Sequence, residues 1–215
     1  MALFRSFVAA EPGPSLAGDG VVLRVPQMAD YEAWAELRAA SRAFLKPWEP
    51  TWPADDLTRA AFRRRLKRYT LELENDQAYP FFLFREGDGT LLGGLNLSNV
   101  RRGVAQACSL GYWMGAPHAG KGHMSAGVRA VLPFVFGALR LRRIEAACLP
   151  SNMPSIRLLE GVGFVREGYA RRYLCIDGIW QDHLLFALLR DDPAPPRGRT
   201  TDSLEGTRRT APERA

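Results

Sequence analysis

Cysteine is scarce in this chain of 215 residues. There are three, Cys108, Cys148 and Cys175, widely spaced and odd in number. No CxxC pair occurs, which speaks against a zinc ribbon or a disulfide framework, and no metal site is expected. Each Cys lies in an apolar, strand-like run, where a buried reduced thiol is the ordinary reading. That usage points to the cytoplasm. Long hydrophobic runs are missing too. None reaches the roughly 18 uncharged apolar residues that a membrane span needs. The stretch Phe7 to Ala10 follows Arg5 but is too short for a secretory signal, and Glu11 comes at once. Internal repeats of roughly 20–50 residues are also absent.

What is present suits a folded core. Apolar residues make up 47% of the chain, enough for one domain of this length. The net charge of +6 leans toward an acidic or phosphorylated partner, and fits an ordinary basic cytoplasmic protein as well. Residues 1–20 read as a Gly/Pro/Ala-rich arm with room for one early strand. Residues 21–190 read as the folded domain. Residues 191–215, rich in Pro, Arg and Thr and poor in large apolar side chains, read as a disordered tail.

Within the domain, Val21 to Val25 predicts a strand, and Asp30 a cap for a helix over Tyr31 to Phe44. The stretch Phe44-Leu45-Lys46-Pro47-Trp48-Glu49-Pro50-Thr51-Trp52-Pro53 cannot continue that helix. Its Pro-bracketed aromatics either plug the core edge or form a wall that binds substrate. A second helix is expected from Asp55 or Asp56 to Glu74. Phe62, Leu66 and Tyr69 hold its buried stripe, while Arg63, Arg64, Arg65, Lys67 and Arg68 form a solvated face or a patch for RNA or an acidic partner. Pro80 to Arg85, Leu91 to Leu97 and Ala105 to Met114 predict an antiparallel meander, with Asp88-Gly89 as a hairpin signal. A helix over Met124 to Leu139 contains Pro133, so a kink is expected there. Arg143 to Leu149 predicts a strand. A short helix follows with Met153 as its cap and Pro154 at its first position, closed by Gly161 and Gly163. Two last strands, Tyr169 to Ile176 and Gln181 to Leu189, meet at Asp177-Gly178. The order β-α-α-β-β-β-α-β-α-β-β implies a mixed, mostly antiparallel α/β sheet with one parallel crossover and helices on both faces.

At the centre of that order stands Gly111 to Gly127. An apolar strand leads into a turn in which Gly120 and Gly122 flank Lys121, and a helix starts at once. Such a turn is either a tight connection or a cradle for a phosphate, bound by backbone N–H groups at a helix N-terminus.

The element order with this turn resembles the GNAT acetyltransferase superfamily. Ala119-Gly120-Lys121-Gly122-His123-Met124 stands where that family has Gln/Arg-x-x-Gly-x-Gly/Ala. It departs from the pattern at Ala119 and Met124. Leu110-Gly111-Tyr112-Trp113 before it, and Arg143-Ile144-Glu145-Ala146, Pro150 to Glu160 and Gly163-Phe164 after it, also resemble the family. Leu45-Lys46-Pro47-Trp48-Glu49-Pro50, Gly93 to Val100, Glu167 to Arg171 and Gly178 to His183 resemble one branch, the RimJ-like ribosomal-protein-alanine N-acetyltransferases. The resemblance runs from about Val21 to Leu189.

This resemblance implies a GNAT-type sheet and acetyl-CoA as co-substrate. It implies transfer of the acetyl group to an amine, foremost the N-terminal α-amino group of a ribosomal protein. Acetylation of a small-molecule amine and a non-catalytic, ribosome-binding role, with Arg63 to Arg68 as a weak RNA contact, are the alternatives. The turn from Ala119 to Ser125 would hold the pyrophosphate, with Lys121 adding charge or staying solvated. Backbone near Trp113 and Met114 would hold the pantetheine arm, and Trp48, Glu49 and Tyr112 would bind the acceptor. Family members often place a Tyr general acid where Leu159 stands here. Ser155 is the candidate acid in its place and Asn152 the orienting residue, unless both merely cap the helix. Glu145, Glu49 and Glu167 are candidate bases, with Glu145 foremost. His123 and His183 are lesser candidates for a proton shuttle. No Cys stands beside a His, so direct attack by the amine is expected.

Overall fold

The computed structural model of this protein describes residues 13–193. The reading of the tail beyond residue 193, and of the arm before residue 13, falls outside them. The last part of the arm is a strand. β1 (Ser15–Gly18) pairs antiparallel with β2 (Val21–Arg24) and forms one edge of the sheet.

After β2 a single-turn 3-10 helix leads to α1 (Tyr31–Ala40). Asp30 occupies the cap position but its carboxylate turns back, to Arg24 at 2.6 Å and to the Gln27 N–H at 2.7 Å. The expected single helix breaks at Ser41 and resumes as α2 (Arg42–Leu45). The buried Ser41 hydroxyl accepts the Ala116 N–H at 2.9 Å and so ties the break to the loop after a distant strand. α3 runs from Arg59 to Glu74. It starts later than expected because Thr58, not Asp55 or Asp56, caps it, accepting the Ala61 N–H at 3.2 Å. The two aspartates instead pair with Arg64 and Arg65 on the helix.

β3 (Tyr79–Arg85), β4 (Leu91–Arg101) and β5 (Ala107–Met114) form the expected meander. α4 (His123–Pro133) crosses to β6 (Arg143–Cys148), which pairs parallel with β5. The α-helix ends at Pro133, which has no N–H to continue the ladder, and one π turn over Phe134–Ala138 follows. α5 (Met153–Val162) is capped by Asn152 rather than Met153. β7 (Val165–Ile176) and β8 (Ile179–Leu189) form a long hairpin closed by Asp177-Gly178. The sheet order is β1-β2-β3-β4-β5-β6-β8-β7, antiparallel except between β5 and β6.

Two apolar clusters lie on opposite faces. The larger packs α4 and α5 against the sheet, through Val128, Val131, Ile156 and Leu159 against Leu95, Leu110 and Ile144. The smaller packs α1 and α3 against β3, with Trp34, Phe62 and Phe82 at its centre. Phe62 is 0% exposed, and its ring centre lies 4.8 Å from that of Trp34 and 6.3 Å from that of Phe82. The mixed sheet with helices on both faces follows the expectation. Phe62→Ala should leave a cavity under α3 and destabilise the fold by about 3–5 kcal/mol, read as a lowered urea midpoint.

Candidate active site

β5 stays paired with β4 as far as Met114, but its pairing with β6 ends at Leu110 opposite Ala146. From Gly111 onward the two parallel strands part. The gap opens on both faces of the sheet. On the α4–α5 face a cavity of about 500 Å³ is lined by Tyr112, Met114, the turn from His118 to Ser125, Asn152 and Ser155. On the α1–α3 face a second cavity of about 500 Å³ is lined by Trp52, Arg65, Tyr69, Asn96 and Gly111. Glu49, Tyr112 and Trp113 border both. Strand alternation aims Tyr112 and Met114 at the larger apolar cluster and Trp113 at the smaller one.

The turn on the first face is built by two left-handed glycines, Gly120 at φ 73° and Gly122 at φ 82°. Side-chain-bearing residues rarely adopt that conformation. Gly122 caps α4, and no side chain bonds the helix start. The first helical bond is from the Ala126 N–H to the Gly122 carbonyl, at 3.0 Å. The N–H groups of His123, Met124 and Ser125 therefore have no acceptor within the helix, at the positive end of its dipole. Lys121 is exposed and donates to the Pro117 carbonyl at 2.9 Å. The Met124 side chain is 5% exposed and belongs to the core, so it faces the cavity mainly through its backbone. These groups fit a polyphosphate.

Asn152 caps α5 by accepting the Ser155 N–H at 3.2 Å, and both residues also line the cavity. The cap and the site are one arrangement. Burial pushes the Tyr112 phenol up to about 12, while hydrogen bonding with Ser155 draws it the other way. The phenol thus stays protonated across the neutral range. Leu159, where the family often has Tyr, is 1% exposed and packs in the core. Burial also raises Cys148 to about 11 and Cys108 to about 12, so neither is a ready thiolate.

The Pro-rich loop is locked by Arg38, a residue that the sequence did not single out. Its guanidinium donates to both Glu49 oxygens at 2.7 Å and stacks 4.0 Å from the Trp52 ring centre and 4.9 Å from that of Trp113. The Trp52 indole N–H donates to the same carboxylate at 2.7 Å. Glu49 therefore stands at the junction of the two cavities, fully engaged. Trp48, expected beside the acceptor, lines the α4–α5 cavity instead.

Glu145 and Glu167 do not reach either cavity. Glu145 lies in the paired part of β6 and is held by Arg101 and by Arg143, the latter at 2.9 Å. Arg143 also binds Glu167 and holds its carboxyl below the ordinary range. Both, expected as candidate bases, belong to a surface ion-pair group. His183 is buried, with Nδ1 3.0 Å from the Gln181 carbonyl, so it is structural. His123 lines the α4–α5 cavity at the helix start. His118, passed over in the sequence, lines the same cavity with a buried, unpartnered Nδ1, and burial lowers its pKa. Of the basic residues on α3, Arg59, Arg64, Arg65 and Arg68 are ion-paired, and Arg65 and Arg68 border the second cavity. Among the described residues no helix is long and apolar enough to cross a membrane, and no cluster of His, Cys, Asp and Glu could hold a metal.

A family model described as an acetyltransferase (GNAT) domain matches residues 21–165. The chain is 37% identical to a [ribosomal protein uS5]-alanine N-acetyltransferase of Escherichia coli, over 86% of this chain and 96% of that protein. It is 36% identical to a probable N-acetyltransferase of Bacillus subtilis, over 82% and 98%. The structure of Mycobacterium smegmatis RimJ, in complex with CoA-disulfide, superposes with a TM-score of 0.76 at 34% identity, covering 82% of this chain and 86% of that one.

Arg38→Ala would strip Glu49 of its main partner at a nearly buried site, and should destabilise the fold by about 3 kcal/mol. Arg101→Ala, which breaks the half-exposed pair with Glu145, should change stability by no more than about 1 kcal/mol. Paired urea titrations check the contrast.

Proposed function

The chain belongs to the GNAT acetyltransferase family, and on that premise we propose that it acetylates the N-terminal α-amino group of a protein, foremost a ribosomal protein that starts with alanine. The observation that carries this reading is the pair of cavities meeting where β5 and β6 part. One has the chemistry for a nucleotide-linked thioester, the other is open to an acceptor, and both reach the same strand edge. The similarity to the Escherichia coli ribosomal-protein-alanine N-acetyltransferase supports the acceptor class. A ribosomal acceptor would place the reaction in the cytoplasm.

In this reading acetyl-CoA supplies an activated acetyl thioester. The unpaired N–H groups of His123 to Ser125 hold its pyrophosphate, aided by the α4 dipole and Lys121. The backbone of Gly111 to Met114, free on the β6 side, aligns the arm and offers N–H donors to the thioester carbonyl. The amine nitrogen bonds to the carbonyl carbon and the C–S bond breaks. One proton leaves the nitrogen and one reaches the sulfur. An α-amino group has an ordinary pKa of about 7.7–8.0, so much of it is neutral near pH 7.5 and water suffices as first acceptor. Glu49, with both oxygens engaged, shapes the junction rather than taking the proton. Ser155 stands at the sulfur side and donates, with the Tyr112 phenol behind it to restore the proton. Asn152 fixes Ser155 by capping its N–H.

The test is mass spectrometry of an Ala-starting peptide incubated with the full chain and acetyl-CoA, with thiol release followed in parallel. Acetylation confined to the peptide N-terminus is expected. Binding of acetyl-CoA without acetyl transfer to any amine would contradict the reading. Transfer only to small amines would replace the acceptor. Ser155→Ala should lower kcat about a hundredfold with acetyl-CoA affinity little changed. Glu145→Gln should leave kcat at the wild-type value.

A further inference from the structure

The α1–α3 cavity has a charge balance that the proposed chemistry leaves unused. Three arginines line it, Arg38, Arg65 and Arg68, against two carboxylates, Glu49 and Asp56. Arg38 is saturated by Glu49, through two bonds of 2.7 Å. Arg65 is matched by Asp56 at 2.7 Å, with its guanidinium 5.1 Å from the Trp34 ring centre. Arg68 is held differently. Its partner is Glu72, one helical turn on and outside the cavity lining, and Nε comes only to 3.4 Å from Oε1. The Arg68 side chain is 60% exposed, and an exposed pair of that kind is weak and readily exchanged. The cavity wall thus carries one unbalanced positive charge, on a long side chain that can turn toward a ligand.

Position gives that charge a use. Arg65, Arg68 and Tyr69 are spaced three and four apart on α3, so they share the helix face that lines the cavity. The same cavity is lined by Gly111 to Trp113, where β5 has left β6. Gly111 is exposed, and a Cβ there would meet nothing within 4 Å, so that end is open. Each residue of an extended chain adds about 3.3 Å, so a cavity of about 500 Å³ takes only the first few residues of a peptide.

Resting on the acetyl-transfer reading above, we propose that Arg68 selects the acceptor: with the peptide's terminal nitrogen at the Gly111 gap, Arg68 pairs with a carboxylate on its second, third or fourth residue. The ligand class is a protein N-terminus that carries Asp or Glu close behind its first residue. Glu72 touches the guanidinium at Nε, and the two terminal nitrogens form the fork that suits a carboxylate. The excess positive charge also disfavours the ammonium form of the entering amine, which must be neutral to attack.

The full chain, acetyl-CoA and a set of Ala-starting peptides test this. The peptides carry Glu, Gln or Lys at one of positions two to four and are otherwise identical. At one position or more kcat/KM should fall in the order Glu, Gln, Lys, by about threefold to fivefold from Glu to Gln, and added salt should shrink the ratio. Arg68→Glu should reverse the order so that Lys is preferred, and Arg68→Gln should bring the three peptides nearly level. Arg59→Gln, which removes an α3 charge outside the cavity lining, should keep the wild-type ratio. A merely structural Arg68 would change all three peptides alike. Equal kcat/KM for Glu, Gln and Lys at every position, or a Glu preference that survives in Arg68→Glu, would overturn the proposal. If no peptide is acetylated, the acetyl-transfer reading falls, and calorimetry with the same peptides decides the charge preference. Tighter binding of Glu than of Lys by the wild type, reversed in Arg68→Glu, supports it; equal binding overturns it.

Discussion

Between Gly111 and Met114 the β5 backbone has a strand partner on one edge only. Backbone N–H and C=O groups at a sheet interior are otherwise paired, and leaving them open at the centre of an eight-stranded sheet is unfavourable. The opening persists because both flanks are held. β4 fixes β5 through Met114, and β8 fixes β6 through Cys148 opposite Leu184. Neither strand can swing over to close the gap. The rest of the site is arranged around that edge: the α4 turn above one face, the Pro-rich loop and α3 beside the other.

The second constraint is the Arg38 clamp. One guanidinium joins α1, the Pro-bracketed loop and β5 through Glu49, Trp52 and Trp113. The contacts are of different kinds, a two-pronged ion pair and stacking on indole faces, and each sets direction as well as distance. The prolines already stiffen the loop. The clamp fixes where the stiff loop sits, and with it the boundary between the two cavities. The β7–β8 hairpin is tied to the same loop by the Asp177 N–H to the Glu49 carbonyl, at 3.0 Å.

Local signals in the sequence carried much of this. The left-handed glycines at 120 and 122, the strand before them and the helix after them locate the turn proposed to hold the pyrophosphate, because glycine chemistry and helix starts are short-range. The parallel crossover follows from connection length, and the change of helix type follows Pro133. Asn152 and Ser155, three apart at a helix start, do share the cavity wall. The misses share one cause, which is distance along the chain. Glu145 alternates as expected, but Arg101 reaches it from β4, across the β5 strand that lies between. Arg38 looks like one more helical charge, and only the fold brings Glu49 and two indoles around it. Asp55 and Asp56 resemble helix caps until Arg64 and Arg65 claim them.

The central claim is that the open β5 edge and the uncapped start of α4 receive one ligand, acetyl-CoA, through backbone amides. Amide hydrogen exchange with and without acetyl-CoA tests that most directly, since it reads backbone N–H groups residue by residue. Slowed exchange concentrated at Gly111 to Met114 and at Gly120 to Ser125 is the expected result. Unchanged exchange at both segments, in a chain shown to bind acetyl-CoA, would contradict the account.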